Sequence, residues 1–148
     1  METIEGERPG AARPEVVYRR DCPTRTVVEL LANKWTLYAM AALREAAEQG
    51  SALRFNELLR RLDGITQKML TQTLRALERD GLVVRTVYPT SPLRVEYALT
   101  PLGVQAGALT TAIAQWSVAH IDEILASRAA AAGADAGAGP AVAPAVGG

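Results

Sequence analysis

Hydrophobic residues recur along this chain at two spacings, and the switch between them divides the sequence into its elements. Val27, Val28, Leu30 and Leu31 follow Cys22-Pro23 as one apolar stripe, which predicts a short helix. Asn33 is expected to end it, because asparagine tolerates the left-handed conformation that a tight turn between helices uses. From Lys34 to about Glu48, Trp35, Leu37, Tyr38, Met40 and Leu43 are spaced by alanines and leave almost no polar face, the pattern of a central, buried helix. Gln49-Gly50-Ser51 breaks that helix, and Leu53 can add a short strand. Phe55, Leu58, Leu59 and Leu62 then stand at i, i+3, i+4 and i+7 with Arg60 and Arg61 outward, and Asp63-Gly64 supplies the turn.

The next stretch, Thr66 to Arg79, organises the rest. Leu70, Leu74 and Leu77 stack on one side, while Lys68, Gln72, Arg75 and Arg79 line the other with Gln67 and Thr71 on the flank. Thr66 is the expected N-cap, with Ile65 and Leu70 at the two positions of a hydrophobic staple. Amide and guanidinium side chains suit base edges and phosphates, so this polar face is either a solvated surface or a nucleic-acid contact. A helix, a short turn and a second helix carrying such a face is the helix-turn-helix arrangement.

After Gly81 the period changes to two. Leu82 to Tyr88 is rich in β-branched residues, Pro89-Thr90-Ser91-Pro92 is a turn, and Val95, Tyr97 and Leu99 alternate with Arg94, Glu96 and Ala98. A hairpin directly after such a helix is a wing, where Arg94 either reaches DNA, or is a cross-strand partner for Glu96 or a solvated charge. Thr100-Pro101 starts a last helix, whose Leu102, Ala106, Leu109, Ile113, Trp116 and His120 recur at alternating steps of four and three. That stripe fits a dimerisation seam or packing onto its own domain. Residues 1–20 lack a hydrophobic period and read as a disordered arm, 21–128 as the folded unit, and 129–148 as a disordered Ala/Gly/Pro-rich tail.

Composition narrows the function. The chain of 148 residues carries 16 basic and 16 acidic side chains, so no global charge draws it to nucleic acid or membrane. Locally the balance differs: Arg54, Arg60, Arg61, Lys68, Arg75, Arg79, Arg85 and Arg94 face only Glu57, Asp63, Glu78 and Asp80 across that segment. One cysteine excludes an internal disulfide, and no Cys/His cluster suggests a metal or other cofactor. Without a spanning apolar run or a leader, the sequence reads as that of a cytoplasmic protein with no membrane partner. Cys22 and His120 are the sole residues of their kinds, and His120 sits on an apolar stripe, so no catalytic constellation is expected.

Several segments together resemble the HxlR-type winged-helix regulators, which are distantly MarR-like. They are Cys22-Pro23, Lys34-Trp35, Leu53 to Leu58, Ile65 to Thr71, Leu77 to Arg85 and Val95 to Thr100, in that order. The resemblance runs from about Cys22 to Trp116, although Asn33 stands where the family often has glycine. It implies a mainly α (α+β) fold with N- and C-terminal dimerisation helices, and a homodimer that binds an operator repeat in double-stranded DNA, in keeping with a repressor. DNA-facing residues would be Thr66, Gln67, Lys68, Thr71, Gln72, Arg75 and Arg94, and dimerising residues Leu109, Ile113, Trp116 and His120. Some members use a cysteine at the position of Cys22 to sense oxidants or electrophiles, and Cys22, Trp35, Tyr38 and Trp116 are expected near a pocket for such an effector or a small molecule. The alternative function is a winged-helix module that binds protein without specific DNA binding.

Overall fold

Helix α2 (Lys34–Glu48) is the axis of the molecule, and its sequence explains why. Ala39, Ala42 and Ala46 are buried beside Met40 and Leu43, and these small side chains let neighbouring helices and the sheet approach closely. The computed structural model describes Pro14 and residues 19–136. Around α2 lie α1 (Pro23–Leu31), β1 (Leu53–Arg54), α3 (Phe55–Arg61), α4 (Gln67–Arg79), β2 (Val83–Tyr88), β3 (Arg94–Leu99) and α5 (Pro101–Asp135). The strands form one antiparallel sheet in the order β1-β3-β2, with Leu53 opposite Tyr97, and Arg85 opposite Tyr97 from the other side.

Met40, Leu43, Leu58, Leu70, Leu74 and Leu77 are fully buried and join α2, α3 and α4 into one core. Each such side chain contributes about 1.5–3 kcal/mol over its exposed state. Ile65 and Leu70 are both buried around the start of α4, and Thr66 Oγ1 accepts from the Met69 amide at 3.1 Å, as the staple and cap predict. Gly64, with φ +88°, makes the turn between α3 and α4.

Three expectations are corrected. Asn33 does not end α1 in a left-handed conformation; it is the extended N-cap of α2, with φ −74° and ψ 131°. Its Oδ1 accepts from the amides of Trp35 (2.9 Å) and Thr36 (3.4 Å), which favours starting the next helix over closing the last. Helix α2 is central but not wholly buried, since Tyr38 is 50% exposed. Helix α5 continues to Asp135, past the boundary at 129, because an alanine run has the highest intrinsic helix propensity. The remainder of the tail and nearly all of the expected arm lie outside the described residues.

The N-terminus of α5 is bolted to the far end of α4. Thr100 Oγ1 accepts from the Gly103 amide at 3.0 Å and donates to the Gly81 carbonyl at 2.6 Å, while the Thr100 amide donates to the Leu82 carbonyl at 3.0 Å. Gly103, Gly107 and Thr110 form the buried face of α5, and beyond Thr110 no described residue of this helix is buried. Leu109, Ile113 and Trp116 are left 61%, 52% and 57% exposed. Of the stripe, Ala106 packs against the core, while Leu109, Ile113 and Trp116 are turned outward and the small residues take the packing face.

Candidate nucleic-acid interface

The leucine face of α4 is sunk in the core, which fixes the direction of its other side. Gln67, Lys68, Gln72, Arg75 and Arg79 are exposed there and Thr71 is half-buried. Thr71 Oγ1 donates to the Gln67 carbonyl at 2.8 Å, so its hydroxyl proton is used within the helix. Arg79 Nε pairs with Asp80 at 3.2 Å. Among the described residues Lys68 and Arg75 make no ion pair, and their charges remain available for phosphates or guanines. Thr66 is exposed at the N-terminus of this face.

The wing stands beside α4, and strand register decides which of its arginines turns toward the helix. Directly paired residues share a face of the sheet. Leu53, Tyr97 and Arg85 are paired in one row, and Leu53 is buried in the core. Arg85 consequently lies on the helix side, where it borders a notch of about 320 Å³ with Thr71, Leu74, Arg75 and Glu78. Arg94 lies on the opposite face with its partner Tyr88 and with Glu96. Its guanidinium sits 4.2 Å from the Tyr88 ring centroid, and its Nε approaches Glu96 Oε1 to 3.4 Å without hydrogen-bond geometry. Arg94 thus pairs with Glu96 along its own strand, and its cross-strand partner is Tyr88. Sequence reasoning singled out Arg94 and passed over Arg85, whose direction follows only from the register through Tyr97 to Leu53.

The four residues expected around an effector pocket are only partly brought together. Trp35 and Tyr38 meet edge to face, with ring centroids 6.2 Å apart, on the wall of an open cavity of about 870 Å³ between α2, the α3–α4 turn and α5. Cys22 and Trp116 do not line that cavity. Trp116 instead stacks on His120 at 4.6 Å, and His120 Nδ1 lies 2.9 Å from the Trp116 carbonyl. Cys22 is the N-cap of α1, and its Sγ lies 3.0 Å from Thr24 Oγ1. The Thr24 hydroxyl foremost, then the Thr24 amide, hold the thiol below its ordinary value. Among the described residues no His, Cys, Asp or Glu group could hold a metal ion, and no helix is long and apolar enough to cross a membrane.

A helix-turn-helix with an outward donor row, followed by a hairpin wing, defines a DNA-binding protein of the winged-helix class. The family model described as HxlR-like helix-turn-helix matches residues 30–124, and the chain belongs to that family. It is 39% identical over 112 residues to the uncharacterized HTH-type transcriptional regulator YtfH of Escherichia coli (strain K12), covering 76% of this chain and 85% of that one. The solved structure of ytfH from Salmonella typhimurium is similar at a TM-score of 0.69 and 36% identity, over 76% of this chain and 96% of that one. The redox regulator HypR in its reduced form is similar at a TM-score of 0.61 and 31% identity, over 71% and 99%. This protein is a DNA-binding transcriptional regulator.

Proposed function

We propose that this regulator works as a homodimer that lays the two α4 helices into successive major-groove turns of an operator repeat, about 34 Å apart, and represses by occupying it. The observation that carries the DNA contact is the exposed row Gln67, Lys68, Gln72 and Arg75 on a helix whose other face is buried. Thr66 and Thr71 flank the row, and Arg85 on the wing, in place of Arg94, faces the phosphates beside it. A wing whose arginine faces the recognition helix fits DNA better than it fits a purely protein-binding module.

Dimerisation rests on α5. Leu109, Ile113 and Trp116, with His120 a turn further on, leave an apolar seam in water on a helix standing clear of its domain. Seams of that kind are covered by a partner, and a second copy offers the same seam. Val27 of α1 and Leu102 and Leu109 of α5 also border an apolar groove of about 300 Å³, which extends the seam onto the N-terminal helix. Modification of Cys22 is the regulatory input best supported, by its lowered thiol pKa and by likeness to HypR.

The deciding experiment is selection of bound DNA from a random pool. Enrichment of a repeat with half-sites about one helical turn apart is expected. Retention of DNA with no enriched sequence, or of none, would refute operator recognition.

A further inference from the structure

The cavity between α2, the α3–α4 turn and α5 has a chemistry that the DNA surface does not use. Trp35 and Tyr38 form an aromatic wall on one side. The same cavity is lined by Glu45, Glu48 and Asp63 with Arg44 and Arg61, one carboxylate more than guanidiniums. Arg44 Nε pairs with Glu48 at 3.5 Å, and Arg61 pairs with Glu45 at 3.9 Å. Asp63 has no ion pair among the described residues, so its carboxylate is open to a ligand. On the α5 side stands Thr111, whose Oγ1 is shielded from solvent and lacks a hydrogen-bond partner. That the Trp35 face attracts positive charge is already visible, since Lys34 Nζ lies 4.8 Å from its ring centroid.

We infer that this cavity is a binding site for planar organic cations, held by Trp35 and Tyr38 through their π faces and by Asp63 through its charge. Its volume of about 870 Å³ admits a drug-sized molecule. The two ion pairs are partly exposed and loosely held, so they yield to a ligand at little cost. Site and recognition helix are adjacent. A Cβ on Gly64 would stand 3.9 Å from Trp35 Cη2, and Leu62 and Asp63, both lining the cavity, are separated from the Thr66 cap only by Gly64 and Ile65. A ligand that displaces the Trp35 ring therefore bears on the turn that aims α4, and its binding is linked to that of DNA.

The inference rests on the regulator reading for its consequence but is tested apart from it. Full-length protein without DNA is titrated with rhodamine 6G, a planar cation, and with fluorescein, an anion on the same ring skeleton, and anisotropy is followed. Rhodamine 6G is expected to bind and fluorescein not. Tyr38→Ala and Asp63→Asn, both at exposed positions, should each weaken the dye by about threefold to tenfold. Equal binding of the two dyes, no binding of either, or unchanged affinity in both variants overturns the site. A second titration with selected DNA should show dye affinity altered by saturating DNA, and identical affinity with and without DNA overturns the linkage. DNA binding measured without dye reports on the regulator reading alone.

Discussion

Replacing Gly103 with alanine tests the junction between α5 and the end of α4. A Cβ built there stands 1.9 Å from the Leu82 carbonyl oxygen and 2.9 Å from its carbon. Carbon and carbonyl oxygen normally approach no closer than about 3.3 Å. The backbone must therefore yield by about 1.4 Å, and both sides are fixed. Leu82 is buried, donates its amide to Leu77 at 2.9 Å and accepts from Thr100 at 3.0 Å. Overpacking of this kind costs about 1–3 kcal/mol. Loss of the Thr100 bond adds about 1 kcal/mol. The gain from replacing glycine in a helix offsets up to about 1 kcal/mol, leaving a net loss of about 2 kcal/mol. Gly133 in the same helix has nothing within 4 Å of its Cβ position, so Gly133→Ala should be neutral or slightly stabilising. Urea unfolding at one fixed protein concentration compares the two, and the Gly103 variant should lose about 1 M in midpoint. Equal midpoints for Gly103→Ala and Gly133→Ala would refute the close approach.

On selected DNA, Gln72→Ala and Arg75→Ala should each cost about 1–3 kcal/mol and relax base preference, whereas Arg85→Ala should weaken all sequences alike and lower the salt slope by about one. Wild-type behaviour of both α4 variants, or a sequence-dependent loss in Arg85→Ala, counts against these assignments. Leu109→Glu or Trp116→Glu should give monomers or insoluble protein, and a wild-type chain sedimenting as a monomer at micromolar concentration removes the seam. Thr24→Ala removes the chief group lowering the Cys22 pKa, so the thiol should titrate at higher pH. At a pH below that midpoint its alkylation by iodoacetamide should then slow, because less thiolate is present, and an unchanged pH profile refutes the hydrogen bond. Diamide should weaken DNA binding by wild type and not by Cys22→Ser; equal responses exclude the thiol from regulation.

What could be read from the sequence was local. The cap and staple of α4 depend on residues within one turn, so Thr66, Ile65 and Leu70 specify them without knowledge of the rest. The wing strands announce themselves through alternation. What escaped depends on how elements meet. Asparagine serves both ends of helices, and only the amides of Trp35 and Thr36 show which end Asn33 serves. On α5 the large residues fitted either a dimer seam or the packing face, and only the close approach of α2 and Leu82 shows that Gly103, Gly107 and Thr110 take the packing face. The direction of Arg85 needed the register linking it through Tyr97 to buried Leu53. The cavity joins residues from α2 to α5, separated in sequence by about the whole domain.

In the proposed dimer the same junction would make α5 a lever on DNA spacing. At 1.5 Å per residue its 35 residues extend about 52 Å, and a 5° tilt displaces one end by about 4.5 Å, more than the 3.4 Å rise of a base pair. A dimer joined through the Leu109, Ile113, Trp116 and His120 seam of α5 can hold its two reading helices at one spacing only if the helix's N-terminal end is rigid. Thr100 supplies that rigidity through its bonds to Gly81, Leu82 and Gly103. Thr100→Val keeps the shape and the backbone bond to Leu82 but removes both hydroxyl bonds, at about 0.5–2 kcal/mol for the lost cap. Under conditions where the variant is fully folded and dimeric, its affinity for selected DNA should fall while that for random DNA holds, because phosphate contacts tolerate misplacement and base contacts do not. The ratio of the two affinities is the measurement, and a wild-type ratio in a folded Thr100→Val dimer would show that head spacing is set elsewhere than at this clamp.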